Sequence, residues 1–319
     1  RWVFWIGIPP LLLGILITAR AAPESRDPAA GHRLDVPGLL ALTIGLGATV
    51  LALVQGGGWG WGSARTLIVA AAGVAGLAAF VAIEPRVRQP IVDLGLFRNR
   101  PYLGATSAAF CLVGAWWGVI FYFPQYLQEI LGYSTLAAGA LVLPITAPMI
   151  VISPLAPRLI EHVGVRLLMT LGMACGTVGM LLLTRIDGTS GYGALLPGFL
   201  LFGVALGLVY APMSTAAMAA MPHAKAGIAA GVLAMTRMVS GAVVLAGMAA
   251  VFGELRADRA EDPPDAAYAL ALGDALWLIV VLCGIGTLLT WWLVRAPVSG
   301  APPTRASARS AAPSSDGSR

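Results

Sequence analysis

The sequence predicts an all-α integral membrane protein, and three observations support that prediction. Of its 319 residues, 58% are hydrophobic and 11% are charged, with a mean hydropathy of +0.83, whereas a soluble globular domain carries about 25% charged residues. The apolar residues also come in runs of the length, about 20 residues, that a helix needs to cross the hydrocarbon core. Helices are the form that satisfies every backbone polar group within such runs.

The spans follow from the apolar runs in chain order. We predict nine of them, at residues 2–19, 37–55, 65–84, 102–123, 137–157, 165–184, 193–213, 227–252 and 272–294. Prolines inside several runs predict local bends, which transporter helices tolerate. The tail at 296–319 consists mainly of Ala, Pro, Ser and Arg without an apolar period, so we expect it to be disordered.

The cations between the runs predict the orientation. Of the 20 cations, 14 lie in alternate loops and in the C-terminal tail, and 5, with Arg1 included, lie on the other side. The positive-inside rule then predicts a multi-pass protein of the bacterial cytoplasmic membrane with its C-terminus in the cytoplasm. The cations occur singly or in pairs, without a basic helix face, so no nucleic acid is expected as a partner.

The chemistry-bearing residues do not form a pattern typical of a soluble enzyme. The three cysteines fall in separate apolar runs and have no histidine at ligand spacing, which favours packing roles over a metal site. The histidines all lie in predicted cytoplasmic loops, at His32, His162 and His223. We therefore expect neither an enzyme nor a cofactor nor a metal ion.

One charge lies deep inside a predicted span. Arg237 occurs in LAMTRMVSGAVV, about ten residues past the start of its run, which places it roughly 15 Å into the membrane. A charge at this depth is costly and indicates a functional site. No predicted span holds Asp or Glu in its middle. Arg237 must therefore snorkel, pair with backbone carbonyls, reach a water-filled cavity or meet a carboxylate outside this chain.

A second candidate region ends the fourth run, in WWGVIFYFPQYLQEILGYS. Aromatic and amide side chains gather there near the predicted outer face: Trp116, Trp117, Tyr122, Gln125, Tyr126 and Gln128. They are typical of an interfacial aromatic belt. They also suit the lining of a path for amphiphilic or cationic ligands, through cation–π and amide contacts. Both interpretations stay open.

Glycines recur four residues apart within three runs, at Gly172 and Gly176, Gly203 and Gly207, and Gly227 and Gly231. This spacing places the glycines on one helix face and lets neighbouring backbones approach closely. Such faces serve either static packing or helices that slide and rock, and the spacing alone does not separate the two.

Several stretches follow one another in the order of a known family. Three stretches resemble its sixth, seventh and thirteenth helices: RWVFWIGIPP, RLDVPGLLALTIGLGATVLALVQG and AGIAAGVLAMTRMVSGA. A fourth, FPQYLQEILGYSTLAAGALVLP, is close to its pattern of Tyr-Leu-Gln, then Leu-Gly-Tyr-Ser, then Ala-Gly and Leu-Pro. Asp35 and Gly38 match an Asp-x-x-Gly helix entry, and Arg237 matches the family's Arg. Together these stretches resemble the major facilitator superfamily, and within it the fourteen-helix drug:proton antiporters of the EmrB/QacA-like family.

A cytoplasmic loop carries part of the same resemblance. PLAPRLIEHVGVR is similar to the second copy of the superfamily's Gly-x-x-x-Asp-Arg-x-Gly-x-Arg loop. Arg158, Gly164 and Arg166 match, while Glu161 replaces the usual Asp and His162 the usual Arg. The resemblance implies a cytoplasmic gating loop built from Arg158, Glu161, Gly164 and Arg166.

The resemblance also implies a division of the chain and a function. It implies one helix of an N-terminal bundle at 1–20, a two-helix insertion with its loops at 21–99, a C-terminal six-helix bundle at 100–295 and the tail. Family members exchange hydrophobic or cationic compounds for protons by alternating access. The expected partners are the lipid bilayer, such a substrate, protons and N-terminal helices missing from this chain.

The family's proton-coupling carboxylate would lie upstream of Arg1. We therefore expect an N-terminally truncated fragment that does not transport by itself. The alternative is a truncated paralogue that does not transport and acts as a ligand-binding or structural membrane partner.

Overall fold

The computed structural model describes residues 2–21, 35–87, 90–222 and 226–294. Apolar α-helices long enough to cross a membrane make up most of these residues, which confirms the all-α membrane fold. The helices are α1 Trp2–Ala21, α2 Val36–Trp59, α3 Ala64–Ile83, α4 Arg100–Glu129, α5 Thr135–Val142, α6 Thr146–Ile152, α7 Ala156–Leu183, α8 Tyr192–Ala219, α9 Ala226–Asp258 and α10 Pro264–Leu293. Short 3-10 turns lie at Glu84–Arg86, Leu94–Arg98, Leu143–Ile145 and Ser153–Leu155. The predicted tail and several loop residues lie outside the described part of the chain: Arg1, Arg26, His32, Arg33, Arg88, His223 and Lys225.

The helices begin at the capping residues that their sequences supply. The side chains of Asp35, Ser63, Asn99 and Ser134 each accept a hydrogen bond from a backbone N–H of the first turn of the following helix. Proline occupies the first turn of α2 and of α4, where no backbone donor is needed. Local sequence therefore fixes where these spans start.

The segment Thr135–Leu183 contains two of the predicted spans. As one straight helix it would measure about 70 Å, more than twice the thickness of the hydrocarbon core. Its first half runs parallel to α8, because Ile145 lies against Gly203 and Ile152 lies against Gly207.

The second half of that segment runs antiparallel to α8. Gly172 lies against Val209, and Gly179 lies against the carbonyl of Gly198. Between the halves Gly164 has φ 80° and ψ 154°, a conformation that L side chains rarely adopt. The chain therefore reverses near Gly164, and the two predicted runs are two separate spans.

α4 is the central helix of the bundle formed by α4–α10. Its start lies beside the start of α9, where the Tyr102 hydroxyl donates to the Ala229 carbonyl at 2.9 Å. Its start also lies beside the end of α10, where Gly104 approaches Val294. α4 is thus parallel to α9 and antiparallel to α10, and it has more buried residues than any other described helix.

The connections gather at two ends of the bundle. We call one end the predicted cytoplasmic end; it contains residues 84–100, 152–166, 219–222 and 294. We call the other end the predicted outer end; it contains residues 59–64, 129–135, 184–192 and 258–264. Asn99 donates to the Ala220 carbonyl at 2.8 Å at the first. Trp61 Nε1 donates to Glu254 Oε1 at 2.7 Å at the second. Each contact therefore joins two segments that the predicted order of membrane crossings places on the same side of the membrane.

α2 and α3 form a hairpin that is attached to the bundle. The two helices approach closely at Gly45, Gly73 and Gly76, and the bond between Trp61 and Glu254 joins the hairpin to α9. By contrast, every side chain of α1 from Ile8 to Ala21 is exposed, and no described helix forms an extensive interface with it.

Candidate functional site

Arg237 is held between α9 and α8, about a third of the way along α9 from the predicted cytoplasmic end. It lies about 16 Å along α9 from the first residue of that helix, Ala226. Its guanidinium carbon stands 4.7 Å from the centroid of the Tyr210 ring, and its Nη2 donates to Ser214 Oγ at 2.6 Å. Tyr210 and Ser214 are four residues apart, so both project from the same face of α8. We call these three residues the Arg237 cluster.

The Arg237 cluster has one unused donor. Arg237 Nε is buried and has no hydrogen-bond partner within the described residues, and there Arg237 forms no ion pair either. A buried donor left unpaired costs about 1–3 kcal/mol. Because arginine has donors only, the group that would relieve this cost is an acceptor or an anion.

The cluster lies on an open face of the bundle. Tyr210 is 37% exposed, and Met238, the residue after Arg237, is 63% exposed. A Cβ built on Gly231 would meet no atom within 4 Å. Among the helices that the structure describes, none covers this side of α9, so a ligand or another helix can reach it.

Trp116 and Trp117 differ in their surroundings. Trp116 is half-buried against the core. Trp117 is 40% exposed, and its indole lies directly on Gly241 of α9, where a Cβ would collide with it. Gly241 is one helical turn beyond Arg237, so the structure places Trp117 on the same side of α9 as the Arg237 cluster.

Tyr122 and Tyr126 lie inside the bundle. Both side chains are buried. The Tyr122 ring meets Phe252 edge-to-face, with centroids 5.2 Å apart. Tyr126 packs beside Tyr268, and its hydroxyl donates to the Ser190 carbonyl at 3.0 Å. These two tyrosines therefore contact other residues of the chain and do not face the open side.

The two glutamines occupy the predicted outer end of α4. Gln128 Nε2 donates to the Pro124 carbonyl at 3.0 Å, and its Oε1 accepts from Thr135 Oγ1 at 2.9 Å. Gln128 thus bridges the end of α4 to the start of α5. Gln125 is half-buried on the same turn of α4.

The turn that receives Tyr126 is ordered by a carboxylate. Asp187 Oδ1 accepts from the Thr189 backbone N–H at 2.9 Å, from Thr189 Oγ1 at 2.8 Å and from Ser190 Oγ at 2.9 Å. The hydrogen bonds from the side chains of Thr189 and Ser190 lower the pKa of Asp187. A depressed carboxyl pKa stabilises the fold above the unfolded pKa, and this contribution is lost as pH falls through the folded value.

Replacing Tyr126 with phenylalanine is expected to destabilise the predicted outer end without disturbing the core. The ring keeps its packing while the hydroxyl bond to the Ser190 carbonyl is lost, so the free energy of unfolding should fall by about 0.5–1.5 kcal/mol. Thermal unfolding of the detergent-solubilised chain measures this. Tyr133→Phe is the matched control, because the exposed Tyr133 hydroxyl makes no hydrogen bond within the described residues. Equal unfolding temperatures for both variants would contradict the prediction.

The four residues of the predicted gating loop have separate environments. Arg158 and Glu161 are exposed, and Glu161 forms no ion pair with any described residue. Gly164 forms the chain reversal between the two halves of Thr135–Leu183. Arg166 lies 4.1 Å above the ring of Trp291, close to the end of α10, and its Nε is buried without a hydrogen-bond partner in the described ranges. Arg166 therefore joins the chain reversal to α10.

Sequence reasoning identified Arg237 and Trp117 separately but missed Tyr210 and Ser214. Their four-residue spacing in YAPMS is a signal for one shared helix face. That signal does not say which neighbouring helix the face meets.

Comparisons with known proteins agree with this fold. The sequence model of the Major Facilitator Superfamily matches residues 1–245. Multidrug resistance protein Stp of Mycobacterium tuberculosis (strain CDC 1551 / Oshkosh) is 30% identical over 251 residues, or 79% of this chain and 46% of that protein. Quinolone resistance protein NorB of Staphylococcus aureus (strain MRSA252) is 28% identical over 255 residues, or 79% of this chain and 55% of that protein.

The chain therefore spans about half the length of the curated relatives it matches. The family match covers well over half of the chain, from residue 1 to residue 245. On that ground the chain belongs to the Major Facilitator Superfamily.

Proposed function

We propose that this chain is part of a multidrug efflux transporter that exports hydrophobic or cationic compounds in exchange for protons by alternating access. The observation that carries the proposal is the Arg237 cluster, a charged and aromatic group within the helical part of the bundle on an uncovered face. The names of Stp and NorB, a multidrug and a quinolone resistance protein, support a role in drug efflux. Intramembrane charges are expensive, and they mark substrate and ion pathways.

The open face suggests how the cavity is completed. In this proposal α4–α10 form the C-terminal bundle, α2 and α3 the two-helix insertion, and α1 belongs to an N-terminal bundle. Helices of that N-terminal bundle would face the Arg237 cluster across a central cavity. The exposed surface of α1 and its lack of an extensive interface with the described helices support this assignment.

The chemistry of the cavity wall favours amphiphilic compounds. Trp117 and Tyr210 offer aromatic faces to apolar or cationic groups. The positive charge of Arg237 beside the Tyr210 ring favours an acceptor or an anionic group on the substrate or on the opposite bundle. The gating loop of Arg158, Glu161, Gly164 and Arg166 would close the cytoplasmic entrance, with the C-terminus in the cytoplasm of a bacterial cell.

A drug-accumulation assay tests the proposal. A pump-deficient bacterium would express either the whole reading frame that contains this chain or residues 1–319 alone, at matched membrane levels. We expect the whole protein to lower accumulation of a fluorescent cationic dye, a protonophore to abolish that effect, and residues 1–319 alone to have no effect.

Three results would contradict parts of this proposal. Export by residues 1–319 alone would show that no further helices are required. Export that survives collapse of the proton gradient would remove proton coupling. Dye accumulation unchanged by the whole protein would favour the alternative, a ligand-binding or structural membrane partner.

A further inference from the structure

Two carboxyl groups face each other where the α2–α3 hairpin reaches the predicted cytoplasmic end. Asp35 precedes α2 and is 5% exposed, and Glu84 follows α3 and is 1% exposed. We call them the acid pair. One oxygen of each has a backbone donor. Asp35 Oδ1 accepts from the Gly38 N–H at 2.9 Å, and Glu84 Oε1 accepts from the Val92 N–H.

The second oxygen of each group lacks a donor. Asp35 Oδ2 and Glu84 Oε2 are both buried and have no hydrogen-bond partner among the described residues. The two atoms converge on one place, because a Cβ built on Gly38 would collide with Asp35 Oδ2 and lie 3.0 Å from Glu84 Oε2.

Two ionised carboxylates are unfavourable in this arrangement. Like charges this close in a site shielded from water repel strongly, so the second carboxylate resists ionisation. Each buried oxygen would also remain without a donor. A single proton between them removes one charge and gives both oxygens a hydrogen bond.

Arg86 and Asp93 are the described charged groups nearest in sequence to the acid pair. Arg86, two residues after Glu84, donates to the Ala82 carbonyl and is exposed. Asp93 caps the next turn by accepting from the Gly95 N–H at 2.9 Å. The cations Arg33 and Arg88, which flank the pair in sequence, lie outside the described residues.

We propose that Asp35 and Glu84 form a proton-binding site, with one proton shared between Asp35 Oδ2 and Glu84 Oε2. The shared proton links the start of α2 to the end of α3 and, through Val92, to the segment that leads to α4. Loss of the proton leaves two negative charges at this junction and weakens it. The site is independent of the Arg237 cluster and of whether the protein transports drugs.

Infrared spectroscopy of the purified chain in lipid nanodiscs tests the shared proton directly. A protonated carboxyl group absorbs at a frequency distinct from that of a carboxylate. At neutral pH we expect wild type to show this band and Asp35→Asn and Glu84→Gln each to lose it. Glu261→Gln, which changes an exposed loop carboxylate, is the matched control and should leave the band unchanged.

Thermal unfolding as a function of pH provides a second readout. Wild type should lose stability as pH rises and the shared proton leaves. Asp35→Asn and Glu84→Gln should remove this alkaline loss, because the amide supplies a donor at every pH while keeping the shape of the side chain. Glu84→Ala, which leaves Asp35 Oδ2 without a donor, should unfold at a lower temperature than Glu84→Gln.

The proposal fails if the band is absent from wild type or persists in both amide variants. An absent band means that both groups are ionised, as when a cation from the flanking segments pairs with them. A band that disappears on addition of sodium or calcium at constant pH indicates a metal-cation site instead. An alkaline loss of stability that both amide variants retain also overturns the proposal.

Discussion

Gly203→Val is expected to destabilise the bundle strongly, by about 3 kcal/mol. Gly203 of α8 lies directly against the backbone of the 3-10 turn between α5 and α6. An added Cβ would collide with the Ile145 carbonyl oxygen and approach the Pro148 ring to 3.0 Å. Overpacking costs about 1–3 kcal/mol, and we expect the upper value because a backbone carbonyl cannot rotate away as a side chain can.

Gly231→Val is the matched control for that prediction. It makes the same change inside a helix, but at a position where a Cβ meets no atom within 4 Å. Both variants would be compared with wild type by size-exclusion profile and unfolding temperature after detergent extraction. Gly203→Val should show a broadened profile and a lower unfolding temperature, while Gly231→Val should resemble wild type. Similar behaviour of the two variants would contradict the close approach of α8 to this turn.

Arg237→Gln is expected to have the largest effect on transport by the whole protein. It removes the charge above Tyr210 and the charge-assisted bond to Ser214, yet it creates no cavity in the core, because Arg237 is only half-buried. A charged hydrogen bond contributes about 1.5–3 kcal/mol. If transport depends on one such bond, its rate should fall about ten- to a hundredfold, since each 1.4 kcal/mol is a factor of about ten.

The control for Arg237→Gln is Arg65→Gln. Arg65 also lies above an aromatic ring, 4.3 Å from the centroid of Trp59, but at the predicted outer end of the hairpin. Initial rates of dye export, normalised to the amount of protein in the membrane, should fall for Arg237→Gln alone. Arg237→Lys should retain part of the rate, because it keeps the charge and loses the planar group. An unchanged rate for Arg237→Gln would reduce Arg237 to a packing residue.

The fold was predictable from sequence because an apolar run of about 20 residues indicates a membrane-spanning helix by itself. The helices extend beyond several runs: predicted 102–123 is Arg100–Glu129, and predicted 272–294 is Pro264–Leu293. The added turns carry polar residues and reach past the hydrocarbon core, so hydropathy does not detect them. The break within Thr135–Leu183 was predictable, since a polar loop separates its two apolar runs.

The candidate site was only partly predictable. Arg237 is conspicuous in any sequence, because a charge rarely occurs inside an apolar run. Tyr210 and Ser214 were not predicted, because their role depends on how α8 approaches α9. Trp117 and Tyr126 were grouped by sequence, yet they are nine residues apart, which places them on opposite faces of α4.

The acid pair shows a different limit. Asp35 and Glu84 lie 49 residues apart in sequence, each at the end of an apolar run, where a carboxylate is unremarkable. Only the antiparallel packing of α2 on α3 brings them together. Hydropathy locates each residue at a membrane boundary and gives no information about its neighbour across the hairpin.

The three glycine pairs have the same spacing but different surroundings. This difference distinguishes glycines that the fold requires from glycines that only a moving partner would require. Gly172, Gly176, Gly203 and Gly207 have neighbours against them, whereas Gly227 and Gly231 of α9 have open space. Bulky residues at Gly227 and Gly231 are therefore tolerated by this bundle on its own. If a second bundle rocks against α9, bulky residues at Gly227 and Gly231 will block that movement. A bulky substitution at Gly227 or Gly231 should then give a protein that folds normally but does not transport. Such a variant would hold the transporter in one conformation of its cycle.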